Sequence, residues 1–236
     1  MKRTKLRDRQ LPVYSRGEEI MNMVTHIVGG GLGLAALGLC LYRALRWGDG
    51  YALAGALIYG CSMILLYSVS SVYHGLIPAT GKKVLQVLDH CTIYLLIAGT
   101  YTPIALCNLR LVDPVLGWGM LIFQWGLAAV AVTLTAIDLK KYNVFSMICY
   151  ISMGWAILPF LGIARQSLGE GGFLCLLWGG IAYTVGAVLY GIGSKKRWFH
   201  SVFHIFVVLG SLLQLLCVAF FVLQKERNPP AVIAGG

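Results

Sequence analysis

Seven stretches of this chain carry no charged side chain: 20–42, 50–81, 90–109, 114–137, 142–164, 171–194 and 198–224, the shortest holding 20 residues. An α-helix rises about 1.5 Å per residue, so about 20 apolar residues cross the roughly 30 Å hydrocarbon core of a bilayer. The runs predict an all-α membrane protein, a bundle of seven transmembrane helices over 20–224. A basic segment (1–19) precedes it and a short tail (225–236) follows. Charged residues make up 12% of the chain, about half the soluble norm, which leaves no stretch for a separate soluble domain.

Lysine and arginine set the expected orientation. Thirteen of the 19 fall in the N-terminal segment and at 82–83, 140–141 and 195–197, and six fall in the alternate segments. The positive-inside rule then puts the N-terminus in the cytoplasm and the C-terminus outside, in a multi-pass protein of the cell membrane. The net charge of +10 reflects topology and contact with anionic headgroups. No basic stripe interleaved with aromatics points to nucleic acid. The opening "MKRTKLRDRQ" resembles a signal-peptide start, but the apolar run after it is too long and lacks an A-x-A site. It reads as a retained first span. The seven cysteines are scattered over six of the seven spans with no C-x-x-C, which suits apolar packing rather than disulfides or a thiolate metal site.

Short connections such as "RWGDG", "PATGKK" and "RQSLGEGG" predict antiparallel neighbours. Small residues four apart (Gly29/Gly33, Ala56/Gly60, Ala182/Gly186, Ala187/Gly191) predict close helix contacts. Pro103 and Pro159 predict kinks, and "NPPAVIAGG" reads as a disordered tail.

All five histidines fall on the cytoplasmic side in this topology. His200 and His204, at i and i+4, share a helix face, the spacing by which one helix offers two imidazoles to a zinc ion. His74 offers a third nitrogen from another helix. Counted from the basic rim, His74, Asp89 and His204 lie at a common depth of roughly 9–12 Å. Three protein ligands with an open position is the arrangement of catalytic rather than structural zinc. Cys91 is a minor alternative for a fourth ligand. Asp89 is costly in a span and needs a partner; beside a zinc-bound water it serves as general base or as acceptor to a ligand imidazole. Ser70, one turn before His74, either donates to a substrate carbonyl or back-bonds to its own helix. His90 should point about 100° away from Asp89 and stays outside the ligand set. Glu19, Asn22 and His26 share a face, which suits either support behind the ligands or an amphipathic leading helix at the interface.

Three motifs, "SSVYH", the aspartate of "VLDH" and "HSVFH", together with "EEIMNMVTH" before the first span, resemble those of the hemolysin III / progestin and adipoQ receptor (PAQR) family. The resemblance runs over essentially the whole chain and is nearest to the bacterial hemolysin III branch. It implies a seven-helix bundle holding one zinc ion through His74, His200 and His204, with Asp89 and Ser70 beside it. Related receptors and alkaline ceramidases share the pattern, so the resemblance also implies hydrolysis of an acyl-lipid amide, ceramide-like, or an ester. A non-enzymatic membrane sensor with structural zinc is the competing class. A hemolysin-like membrane-perturbing role is a third, although seven permanently apolar spans do not suit a secreted pore. A transporter is a fourth, disfavoured because the outer halves of the spans are nearly free of polar residues.

Overall fold

A computed structural model describes residues 4–193 and 196–224. Among these residues the chain is all helical, with no strand. The long helices are α1 (Arg16–Trp47), α2 (Gly50–Gly75), α3 (Thr80–Ile104), α5 (Pro114–Ile137), α7 (Leu161–Gly193) and α8 (Phe199–Cys217). The single turn α4 (Arg110–Val112) and the shorter α6 (Asn143–Gly154) complete the set. Six helical stretches are long and apolar enough to cross a membrane. The expected tail at 225–236 lies outside the described residues.

Local chemistry starts these helices. The Ser15 hydroxyl accepts from the Glu18 backbone N–H while the Glu18 carboxylate accepts from the Ser15 N–H, a reciprocal cap that begins α1 four residues before the charge-free run. Asp49 and Asp113 cap α2 and α5 one way, their carboxylates accepting from the Ala52 and Leu116 backbone N–H groups, and Pro114 supplies the first position of α5. Pro103 lies inside α3, and two residues later the helix widens into a π-turn over Ala105–Leu109.

One expected loop is mostly helical. Positions 143–164 and 171–192 of two of the runs fall in one stretch, Asn143–Ile192, of 50 residues. It is not straight. α6 stops at Gly154, a 3-10 turn containing Pro159 follows, and Gly169 breaks α7 at φ 70° and ψ 171°. That region is essentially glycine-only, so a single residue does the work expected of a longer loop. Trp155 donates through Nε1 to Thr184 Oγ1 at 2.9 Å, and the two residues stand almost equally far from Gly169 in sequence.

α1 and α2 pack through small residues. A Cβ on Gly29 would overlap the Tyr67 ring, one on Gly33 would stand 3.1 Å from the Ile64 backbone, and one on Gly60 would lie 2.7 Å from Leu37 Cα. Gly186 meets Phe203 and Phe206 of α8 in a similar way, whereas a Cβ on Gly191 would meet nothing. Tyr67 then reaches α8, donating to Ser211 Oγ at 2.7 Å. This links the glycine seam to the helix that carries His200 and His204.

Candidate metal centre

α2 delivers His74 and α8 delivers His200 and His204 to one buried point. The three offer ligand nitrogens that all lie within 4.8 Å of one another. His200 Nε2 is 3.4 Å from His74 Nε2 and 3.1 Å from His204 Nε2. Zinc–nitrogen bonds of about 2.0–2.1 Å at tetrahedral angles separate two ligand nitrogens by about 3.3 Å. The observed spacings bracket that edge.

The outer ring nitrogens decide the tautomers. His74 Nδ1 lies 2.6 Å from Glu19 Oε2, and His204 Nδ1 lies 3.2 Å from the Asn22 carbonyl oxygen. Both oxygens are acceptors, so in the neutral rings each Nδ1 carries the hydrogen and each Nε2 presents a bare lone pair. A single N–H on His200 Nε2 could answer one of those lone pairs but not both. A cation takes all three. Buried atoms without a hydrogen-bond partner here include His200 Nδ1 and both ring nitrogens of His26, while the Ser70 hydroxyl has the Asp89 carboxylate beside it. The donor set, spacing and orientation fit zinc, with His74, His200 and His204 as the residues that would hold it.

The support behind the ligands comes from the Glu19/Asn22/His26 stripe, so α1 turns that face inward. Glu19 is held in turn by Lys82, whose ammonium donates to Glu19 Oε1 at 2.6 Å and to the Leu76 carbonyl at 2.9 Å. Lys82 is only 3% exposed, although the sequence placed it on the basic rim. Asn22 is pinned by Ser201, which donates to its side-chain oxygen at 2.6 Å. His26 stacks on His204 with ring centroids 3.7 Å apart and sets its edge against Tyr67.

Asp89 and Ser70 stand beside this cluster rather than in it. Both line the cavity that also reaches His200 and His204, and the Asp89 carboxylate faces His74 and the Ser70 hydroxyl. His90 stays outside the ligand set, with Nδ1 on the Gln86 carbonyl and Nε2 near the Tyr190 hydroxyl. The Cys91 thiol turns away to the Val132 carbonyl on α5, which removes it as a fourth ligand.

Sequence reasoning missed Tyr14. Its ring stacks on His200 at 4.9 Å and 16°, covering the cluster from the N-terminal side. Burial pushes its phenol well above the usual range, with Tyr190 and Glu19 adding to the effect, so it remains a neutral hydroxyl. Tyr14 sits outside any apolar run, and no spacing connects it to a helix face.

The cavity encloses about 160 Å³ between α3, α6, α7 and α8. Its walls are mainly aliphatic and aromatic, from Ile93 and Tyr101 to Phe173 and Val207. On α8 it runs from His200 to Gln214, about 21 Å at 1.5 Å per residue. One end is polar and the rest is greasy.

Residues 14–215, from Tyr14 through α8, match the family model described as Haemolysin-III related. The chain belongs to the haemolysin-III related family. Hemolysin-3 of Bacillus cereus is 39% identical over 206 residues, covering 87% of this chain and 92% of that protein. The Hemolysin-3 homolog of Bacillus subtilis (strain 168) is 35% identical over 209 residues, 89% and 96% of the two chains. More distantly, the human Monocyte to macrophage differentiation factor is 29% identical over 170 residues, 69% of this chain and 68% of that protein. With six helices able to cross a bilayer, this family member is a multi-pass protein of the cell membrane. The matched span contains every residue of the histidine cluster and of the α1 stripe behind it.

Proposed function

We propose that the protein is a zinc-dependent membrane hydrolase acting on a fatty-acyl lipid, an amide such as ceramide or an ester. The observation that carries this reading is the convergence of three oriented imidazoles with Asp89 and Ser70 at the polar end of a long apolar cavity. Bound zinc supplies an electrophile for the acyl carbonyl and an acidified water for attack. His74, His200 and His204 hold their lone pairs in place through Glu19, Asn22 and the stacked Tyr14 and His26 rings. Asp89 accepts the proton lost by the attacking water at its carboxylate oxygen and passes it to the leaving nitrogen or oxygen as the acyl C–N or C–O bond breaks, releasing fatty acid and amine or alcohol. The Ser70 hydroxyl, which faces the Asp89 carboxylate, turns to donate to the carbonyl oxygen as charge develops there. The apolar walls take the acyl chain and hold its carbonyl at the cluster.

The topology that goes with this reading has seven crossings. The reversal at Gly169 and the Trp155–Thr184 pairing support counting 143–168 and 170–192 as two antiparallel spans. The lysine and arginine bias supports a cytoplasmic N-terminus, with 1–19 inside and 225–236 outside.

The burial of all three histidines, at 2%, 9% and 1% exposure, favours a second reading, in which the metal is structural and the protein senses membrane state. Free fatty acid released by purified protein from ceramide and ester substrates separates the two. Hydrolysis is expected to stop on chelation and in His204→Ala, and to fall at least about a hundredfold in Asp89→Asn. Hydrolysis that survives chelation contradicts the proposal. A function that persists in Asp89→Asn but fails with thermal stability in the histidine variants favours the sensor.

A further inference from the structure

At the end of the bundle away from the histidines lies a second cavity, of about 240 Å³, bounded by the C-terminal turns of α1 and α8, the start of α2 and the α3–α5 connection. His26 and Arg43 lie on the same helix 17 positions apart, which puts the two sites about 25 Å apart along α1. Two arginines line the cavity, Arg43 and Arg110. We propose that this cavity binds the phosphate of an anionic membrane lipid between the two guanidinium groups.

The guanidinium groups are built into position. Both helices that end here finish in π-turns, Ala105–Leu109 after α3 and Val218–Val222 after α8. Arg110 Nε donates to the Leu106 carbonyl inside the first, and Arg43 Nε donates to the Leu223 carbonyl just past the second, both at 2.9 Å. Each plane is also fixed by aromatic rings. Arg110 lies 4.0 Å over Tyr51, and Arg43 lies 4.9 Å over Trp47 and 5.2 Å over Phe220. With Nε used and the plane set, the terminal nitrogens are the donors left over, the fork that matches phosphate oxygens. Among the described residues no carboxylate lies within ion-pair distance of either arginine. Asp49, the acid on the cavity wall, accepts from the Ala52 N–H and caps α2. Among the described residues the cavity wall therefore holds two positive charges against one negative one.

The surroundings select a lipid phosphate over a soluble one. Leu111 on the cavity wall and Phe220 against Arg43 are 49% and 45% exposed, an apolar margin for acyl chains next to a charged head. If the arginines served only to cap the carbonyls of the π-turns, their terminal nitrogens would bind nothing.

The test uses the full-length protein in nanodiscs of phosphatidylcholine with one-tenth phosphatidylglycerol, and counts lipids retained per chain by native mass spectrometry. A parallel arm offers inorganic phosphate in pure phosphatidylcholine discs and reads the melting temperature. Wild type should retain one phosphatidylglycerol, and Arg43→Gln with Arg110→Gln should weaken retention about tenfold or more. Arg165→Gln, whose arginine pairs with Glu170, should change nothing. If the glutamine pair fails to fold, Arg43→Lys with Arg110→Lys keeps the charge, loses the fork, and should still retain less lipid than wild type. Stabilisation by phosphate that the glutamine pair abolishes also supports the anion site and assigns it to free phosphate. Retention in the glutamine or lysine pair equal to wild type, or no preference for phosphatidylglycerol and no response to phosphate, overturns it.

Discussion

The α1–α2 seam and the α6–α7 side of the bundle are built on opposite plans. Along the seam, glycines let backbones touch, and Tyr67 fills the space above Gly29 before reaching Ser211 on α8. Across the bundle, the helices are interrupted at Gly154, Pro159 and Gly169, and a cavity about 21 Å deep lies between them and α3 and α8. The histidines and the residues behind them sit where the tight half meets α8. The loose half provides room next to them. The proposed metal site needs fixed ligands and the proposed acyl chain needs space; the histidines lie against the tight half and the cavity opens in the loose half.

The largest expected effect comes from breaking the tight side. Gly29→Val drives a branched side chain into the Tyr67 ring and should cost about 3 kcal/mol or more, with loss of bound metal as α8 shifts. A melting curve and metal content on the same preparation check it. Glu19→Gln comes next: it removes the charged acceptor of His74 and leaves Lys82 without its anion. Metal affinity should fall about 10–100-fold, read by competition with a chromophoric chelator, while the fold is retained. Gly169→Ala tests the hinge of the loose side and should destabilise by about 1–3 kcal/mol, because alanine does not tolerate this backbone conformation. The smallest effect sharpens the contrast. A Cβ on Gly180, which lines the cavity, would meet the Trp155 ring at 3.6 Å, an ordinary contact. Gly180→Ala should therefore leave the melting temperature unchanged or raise stability by up to about 1 kcal/mol. A methyl group tolerated equally at Gly29 and Gly180 would remove the distinction between the two halves.

The helical content and the three histidines were legible because each has a local period: long apolar runs for spans, and four-residue spacing for His200 and His204. His74 followed from its depth and from the "SSVYH" motif. The stripe Glu19, Asn22 and His26 was visible as a face, but its direction depended on which helix packs against α1, and no single sequence reports that. Lys82 looked like a rim charge because its partner, Glu19, lies 63 positions away. Tyr14 was invisible for a related reason: it reaches His200 from an extended segment with no periodicity. The connection at 165–172 was misread as a loop because its polar residues resemble one, while helix continues on both sides of Gly169. Arg43 and Arg110 counted only as loop charges; their orientation depends on two π-turns that no residue pattern announces.

The central claim is that His74, His200 and His204 form one metal site. Elemental analysis of detergent-purified protein, wild type beside His200→Ala and matched for helix content, tests it most directly. About one zinc ion per wild-type chain is expected, with the variant nearly free of it. A wild-type protein without divalent metal after growth and purification in zinc, or a variant that keeps its full complement, would contradict it.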